Sequence, residues 1–235
     1  MKRTDVLPPE SQPVFLEKTE QLLSYMKQKS LQELQSIWKC NDKIAKENYD
    51  RVIHMDLYGQ LSPAILSYEG IQYKYMAPAV FDEDAYRYLQ THLHILSAFY
   101  GSLKPFDGVT PYRLEMQSRF GQPKLDSLYE FWENCIAGEV QKNCSVLVNL
   151  ASKEYSKAVL RYLPEVIPCI TCVFGEQLDG KVKEKGTYAK MARGEMVRFM
   201  AEQKVENVEE IKNFDRLGYQ FSEEYSEKTK FVFLK

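Results

Sequence analysis

The sequence predicts an α+β protein, with a mixed β-sheet flanked by helices in a single compact domain over residues 1–235. Three observations lead there. Stretches with the 3.6-residue apolar repeat alternate irregularly with short β-branched runs. No internal repeat, low-complexity run or long linker divides the chain. Its 44% hydrophobic and 27% charged residues are ordinary for a globular protein. At this length roughly 70–75% of the unfolded surface can be buried without disulfides or a structural metal.

Residues 1–12 are polar and carry Pro8 and Pro9, which predicts a loose or extended start. Val14 to Lys27 repeats with helical spacing, with Phe15, Thr19, Leu22, Leu23 and Met26 on one side. Ser30 with Glu33 has capping-box spacing and opens a helix through Trp38. Asn41 or Asp42 opens a third, to about His54. Ser62-Pro63 ends this helical opening, and Ala64–Tyr68 reads as a short strand before Gly70. A helix is expected over 82–97 through Ala85, Leu89, Leu93 and Leu96, then a tight turn and a strand over Tyr112–Met116. Leu125–Gln141 is read as one amphipathic helix containing Leu128, Trp132, Cys135 and Ile136. Ser145–Ala151 reads as a buried strand, after which Ser152 caps a short helix. Val166–Phe174 reads as a strand, with Leu178–Lys183 pairing to it across a turn at Gly175. Thr187–Lys204 has strong helical character. Tyr219–Phe221 and Phe231–Leu234 read as closing strands.

Lysine and arginine number 31 against 33 acids, for a net charge of −2. Indiscriminate nucleic-acid binding usually comes with a strongly basic domain, so any such contact here must come from a local patch. The five cysteines lack the spacing of a secreted framework and read as reduced thiols. No apolar run approaches the roughly 20 residues that span a bilayer, and no signal-peptide core follows Met1. A cytoplasmic protein without membrane contact is expected.

Several groupings could carry chemistry. On the helix from Thr187, Tyr188, Ala192, Met196, Phe199 and Met200 share an apolar face, while Lys190, Arg193, Gly194, Val197 and Lys204 fall on the other. That basic side is either a solvated surface or a stripe for phosphate oxygens. Gly194, costly in a helix interior, suits the close approach of another backbone or of a phosphate. Arg113 and Glu115, two apart on a strand, share one side and are either a structural ion pair or an acid-oriented guanidinium. Asn149 and Ser152, with Tyr155 beyond, mark a strand-to-helix junction, where amide groups can meet an anion or Ser152 simply caps. Cys169 and Cys172 have CxxC spacing but lie in a strand with no second pair, and His92 and His94 at i, i+2 cannot share a helical metal site. No metal or cofactor is expected, and no catalytic residue is assigned. Tyr100-Gly101-Ser102-Leu103-Lys104-Pro105, after a helix, has the hydrophobic-Gly-hydrophobic form of a helix-hairpin-helix turn; alone, it also fits a plain helix-terminating turn.

Together these stretches resemble the YaaA family of bacterial peroxide-stress proteins. The matching segments are Leu96-Ser-Ala-Phe-Tyr-Gly-Ser-Leu-Lys-Pro105, Pro111-Tyr-Arg-Leu-Glu-Met116, Leu128-Tyr-Glu-Phe-Trp132, Asn149-Leu-Ala-Ser152 with Glu154-Tyr155, Tyr188-Ala-Lys-Met-Ala-Arg-Gly194 and Gly218-Tyr219. They follow in family order from about residue 12 onward. The resemblance implies a DNA-binding protein with a helix-hairpin-helix-like element and a basic cleft, associated with limiting free iron under hydrogen peroxide stress. It places Tyr100, Gly101, Lys104, Arg113, Lys190 and Arg193 at duplex or branched DNA, with Glu115, Asn149, Ser152 and Tyr155 in the cleft. Met1–Pro9 stands where the family carries a short strand and a Ser-Pro-Ala-Lys motif. A truncated chain or a misassigned start is the expectation, with a sheet edge left unpaired. The leading expectation is DNA binding without turnover. The alternative is an enzyme of nucleic acid or nucleobases, glycosidase or lyase in type, using Arg113, Glu115, Lys190 and Arg193.

Overall fold

The computed structural model describes residues 1–121 and 125–235. Its helices are α1 (Leu16–Lys27), α2 (Leu31–Trp38), α3 (Asp42–Ile53), α4 (Ala64–Ser67), α5 (Ile71–Met76), α6 (Glu83–His92), α7 (Leu128–Trp132), α8 (Cys135–Val140), α9 (Lys153–Leu160) and α10 (Gly186–Gln203). Its strands are β1 (Ser62–Pro63), β2 (Ile95–Ser97), β3 (Gly101–Leu103), β4 (Gly108–Val109), β5 (Leu147–Asn149), β6 (Cys169–Leu178), β7 (Lys181–Lys183), β8 (Gln220–Phe221) and β9 (Lys230–Leu234). The class is α+β, as expected. The chain forms two compact units: Met1–Tyr68, Leu93–Val140 and Lys153–Tyr162 make the first, and Glu69–His92, Gln141–Ser152 and Leu163–Lys235 the second.

In the first unit, α1 buries Thr19, Leu22, Leu23 and Met26, the stripe its spacing predicts. Ser30 and Glu33 close the capping box, and the Asn41 side chain accepts from Ile44 N–H to start α3. The first residues are extended but tied down, because Lys2 N–H donates to Ser67 O and Glu10 N–H to Phe106 O. Ala64–Ser67 is a helical turn, not the expected strand. All four of its residues are buried, which erases the periodicity that separates the two states. The helix expected to reach residue 97 ends at His92, and Ile95–Ser97 instead pairs antiparallel with Gly101–Leu103. That segment is therefore a β-hairpin, and the next helix among the described residues is α7. The helix expected over 125–141 is broken into α7 and α8 by Glu133, at φ +46°.

In the second unit the five-stranded sheet runs β5-β6-β9-β8, with β7 paired to β6. Strands β5, β6 and β9 are parallel, while β8 and β7 are antiparallel to their neighbours, which makes the sheet mixed. The hairpin turn falls at Asp179-Gly180 and not at Gly175, which lies inside β6. Ala192, Met196 and Phe199 of α10 join Cys172, Phe174, Phe214, Tyr219, Phe231 and Phe233 in one core. The other side of α10 is also covered. Gly194 and Val197, expected on the basic strip, are buried. A Cβ built on Gly194 would lie 2.1 Å from the Gln72 carbonyl oxygen and 2.9 Å from the Met76 nitrogen, both on α5. The backbone that Gly194 admits is thus a protein helix.

Gly194→Ala is expected to destabilise the protein by about 1–3 kcal/mol despite alanine's better helix propensity, because α5 must shift to admit the methyl group. Urea unfolding of the two proteins measures this, and a more stable variant would contradict it.

Candidate functional site

Residues from Ala98 to Val109 run through the interior of the first unit, and polar side chains satisfy their backbone. Ser97 Oγ accepts from the Phe99 and Tyr100 amides. The Tyr112 hydroxyl lies 2.7 Å from Ser97 Oγ and 2.9 Å from the Tyr68 hydroxyl. Tyr100 is fully buried, and its hydroxyl accepts from Thr110 N–H. Gly101 has φ +78°, and a Cβ there would come within 2.9 Å of Phe15 and Trp132. Tyr100 and Gly101, expected at DNA, are therefore enclosed by packing.

From Tyr112 onward burial alternates: Tyr112, Leu114, Met116, Ser118 and Phe120 face inward, while Arg113, Glu115, Gln117 and Arg119 face outward. The period of two is the expected one, but among the described residues no ladder partner makes this segment a strand. Glu115 N–H donates to Ser118 Oγ, and Ser118 N–H to Glu115 O. Helix α9 supports the segment, with Glu154 accepting from Gln117 N–H and Tyr155 bonding the Met116 backbone. Burial raises the Tyr155 phenol well above its ordinary value, with the neighbouring Tyr112, Glu154 and Glu115 adding to it.

This alternation sets Arg113 beside Glu115 at 3.4 Å, and Arg113 Nη2 also reaches the Trp38 carbonyl at 3.5 Å. The Arg113 Nε–H is buried without an acceptor among the described residues, as is Trp38 Nε1–H. Lys104 is half-buried, and its ammonium donates to His94 Nε2 at 3.3 Å. The imidazole is then the Nδ1–H tautomer, donating to Ser102 Oγ at 2.9 Å. Asp107 accepts from Lys104 N–H and Ser11 Oγ. These groups line a cavity of about 160 Å³ with Glu139 on its wall. Burial, and then the Lys104 charge, lower the His94 pKa to about 4, whereas burial raises that of Asp107.

The second unit carries Lys190, Arg193, Asn149 and Ser152. Lys190 is exposed on α10. The Arg193 side chain, only 14% exposed, meets Glu184 at 3.3 Å and keeps a buried Nε–H without an acceptor among the described residues. Asn149 donates to Thr171 Oγ1 and accepts from Ala151 N–H, which makes its side chain a local turn. Ser152 is half-buried directly ahead of Lys153, where α9 begins. Burial pushes the Cys172 thiol up to about 12, while Cys169 lies on a different part of β6 at intermediate exposure. No trio of His, Cys, Asp or Glu among the described residues is arranged to hold a metal ion. No helix among them is long and apolar enough to cross a membrane.

Residues 1–225 match the family model described as peroxide stress protein YaaA. The chain belongs to the YaaA family. A UPF0246 protein of Agathobacter rectalis is 54% identical over 98% of this chain and 92% of its own length. Those of Lachnoclostridium phytofermentans and Pediococcus pentosaceus are 51% and 49% identical, over 100% and 99% of this chain and 92% of theirs.

Residue spacing had set His94 aside as a metal ligand but did not foresee it as the partner of Lys104, because the two meet across the β2–β3 hairpin. Tyr68 and Trp38 are likewise unmarked, since each reaches the site from a distant segment, whereas Asp107 lies three residues beyond Lys104 and accepts its amide locally. The folded His94 pKa lies below the ordinary 6.5, so the unfolded chain binds the extra proton between about pH 6.5 and 4. Stability is therefore lost as pH falls through that window, by about 2 kcal/mol between pH 7 and 4.5. Asp107 acts in the opposite sense and remains in both proteins, so His94→Gln should flatten this part of the pH dependence. Urea midpoints at the two pH values measure it, and equal slopes for the two proteins would refute it.

Proposed function

We propose that the protein binds DNA, duplex or branched, within the peroxide-stress response, and in doing so limits intracellular free iron and oxidative DNA damage. One feature shared by Arg113 and Arg193 carries the reading. Each guanidinium makes a long ion pair, at 3.4 Å and 3.3 Å (Arg113 also reaches the Trp38 carbonyl), and each retains a buried Nε–H with no acceptor among the described residues. A buried donor left unmet costs about 1–3 kcal/mol. With the guanidinium turned outward, a phosphodiester accepting from Nε and Nη together would meet it with the bidentate geometry that arginine offers. Lys190, exposed and without an ion pair among the described residues, adds a point charge, and Lys104 adds another. Tyr100 and Gly101 contribute on this reading by shaping the hairpin beneath, not by touching DNA. In a molecule of net charge −2, such local sites are the means by which a polyanion is held. The stress role follows from the family's description.

A proton-transfer enzyme is the weaker reading. Its acid, Glu115, is solvent-exposed and engaged with Arg113, whereas general acid–base catalysis favours a carboxyl tuned by a drier setting.

Affinity for a short duplex should fall steeply with salt, the slope counting the phosphates neutralised. Arg113→Gln and Arg193→Gln should each weaken binding by about tenfold or more. Arg113→Lys should keep the salt slope yet still lose affinity, because an ammonium cannot chelate an oxyanion. Fluorescence anisotropy between low and moderate salt measures all of this. Absence of binding at low salt, or an affinity indifferent to salt, would end the proposal.

A further inference from the structure

The β6–β7 hairpin carries a second basic surface. Asp179 and Gly180, at φ +53° and +69°, form a two-residue turn whose twist suits a tight hairpin. The register pairs Glu176 with Lys183, Gln177 with Val182 and Leu178 with Lys181. Residues directly opposite share a face, so Glu176, Leu178, Lys181 and Lys183 lie on one side and Gln177 and Val182 on the other.

The two faces differ in chemistry. Val182 Cγ1 fills the space that a Cβ at Gly175 would need, and Gln177 donates to the Tyr225 hydroxyl, so this face is seated on the second unit. On the other face the one acid, Glu176, is taken by Lys185 at 2.7 Å. Lys181 and Lys183 are exposed and make no ion pair among the described residues. Two residues apart on a strand, their side chains leave the backbone about 6.7 Å apart. That spacing lets two ammonium groups meet neighbouring phosphates along one nucleic-acid strand, and the duplex major groove admits a two-stranded ribbon.

We propose that this ribbon is a nucleic-acid arm, with Lys181 and Lys183 neutralising two backbone phosphates of a DNA duplex. The inference rests on the DNA-binding reading above and adds Lys181 and Lys183 to the residues it invokes, next to Glu184, the ion-pair partner of Arg193. Because these contacts are to phosphates, they position the duplex and do not read its sequence.

The test compares unmodified protein with Lys181→Gln/Lys183→Gln on a short duplex across a salt series. Each lost phosphate contact should lower the slope of log K against log salt by about 0.9, so the double variant should lose about 1.8. If the two lines meet at 1 M salt, binding at 0.1 M falls roughly 60-fold. Lys181→Arg/Lys183→Arg should keep the original slope. Lys43→Gln/Lys46→Gln, two exposed lysines on α3 of the first unit, removes the same net charge and should leave the slope unchanged. A ribbon variant that binds like the unmodified protein, or an α3 variant that loses as much as the ribbon variant, overturns the arm while leaving the arginine sites standing. Failure of the unmodified protein to bind overturns both.

Discussion

The first unit is organised around one requirement: a backbone taken into the interior, paired in part by the short β2–β3 and β1–β4 ladders, must find its remaining hydrogen-bond partners elsewhere. Residues 95–120 meet it with side chains. Ser97 takes two amides, Tyr112 bridges Ser97 and Tyr68, the Tyr100 hydroxyl takes the Thr110 amide, and Asp107 takes that of Lys104. Ser97, Tyr100, Asp107 and Tyr112 are themselves buried, so losing one of these bonds would leave an unmet group away from water. Once Tyr112 is fixed inward, chain geometry alone turns Arg113 and Glu115 outward. The exposed chemistry of this unit is set from beneath.

The second unit reaches a similar end by packing. Helix α10 is covered by the sheet core through Ala192, Met196 and Phe199, and by α5 at Gly194. Of its two predicted cations, Lys190 remains exposed and Arg193 is largely covered. A helix buried on two sides holds its remaining side chains more firmly than a surface helix would. This is consistent with an Arg193 guanidinium kept partly desolvated and with a donor to spare. The lysine face of the β6–β7 ribbon stands apart in character, being exposed and held only at its rear.

Much of the fold could be read ahead of the structure where local signals decide. The Ser30 and Asn41 caps, the α1 stripe, the core strands β5, β6 and β9 and the long α10 helix all follow from short-range patterns. Expectation and structure part where short segments are buried on most sides. Ala64–Ser67 is buried at all four residues and Ile95–Ser97 at two of three, so periodicity does not separate helix from strand there. Glu133, which divides the 125–141 helix, carries no glycine or proline to announce a left-handed residue. For the candidate site, Arg113, Lys190 and Arg193 were legible as cations in pattern. Their hydrogen-bond state depends on Trp38 and Glu184, which no sequence interval links to them. Gly194 reads as a place of close approach, and only the fold identifies α5 as what approaches.

The most direct measurement is NMR of the arginine Nε–H groups on addition of a short DNA duplex. Oxyanion recognition by these two donors predicts that the Arg113 and Arg193 Nε–H resonances shift and exchange more slowly with water once DNA is bound. Saturating DNA that leaves both resonances unmoved would contradict it.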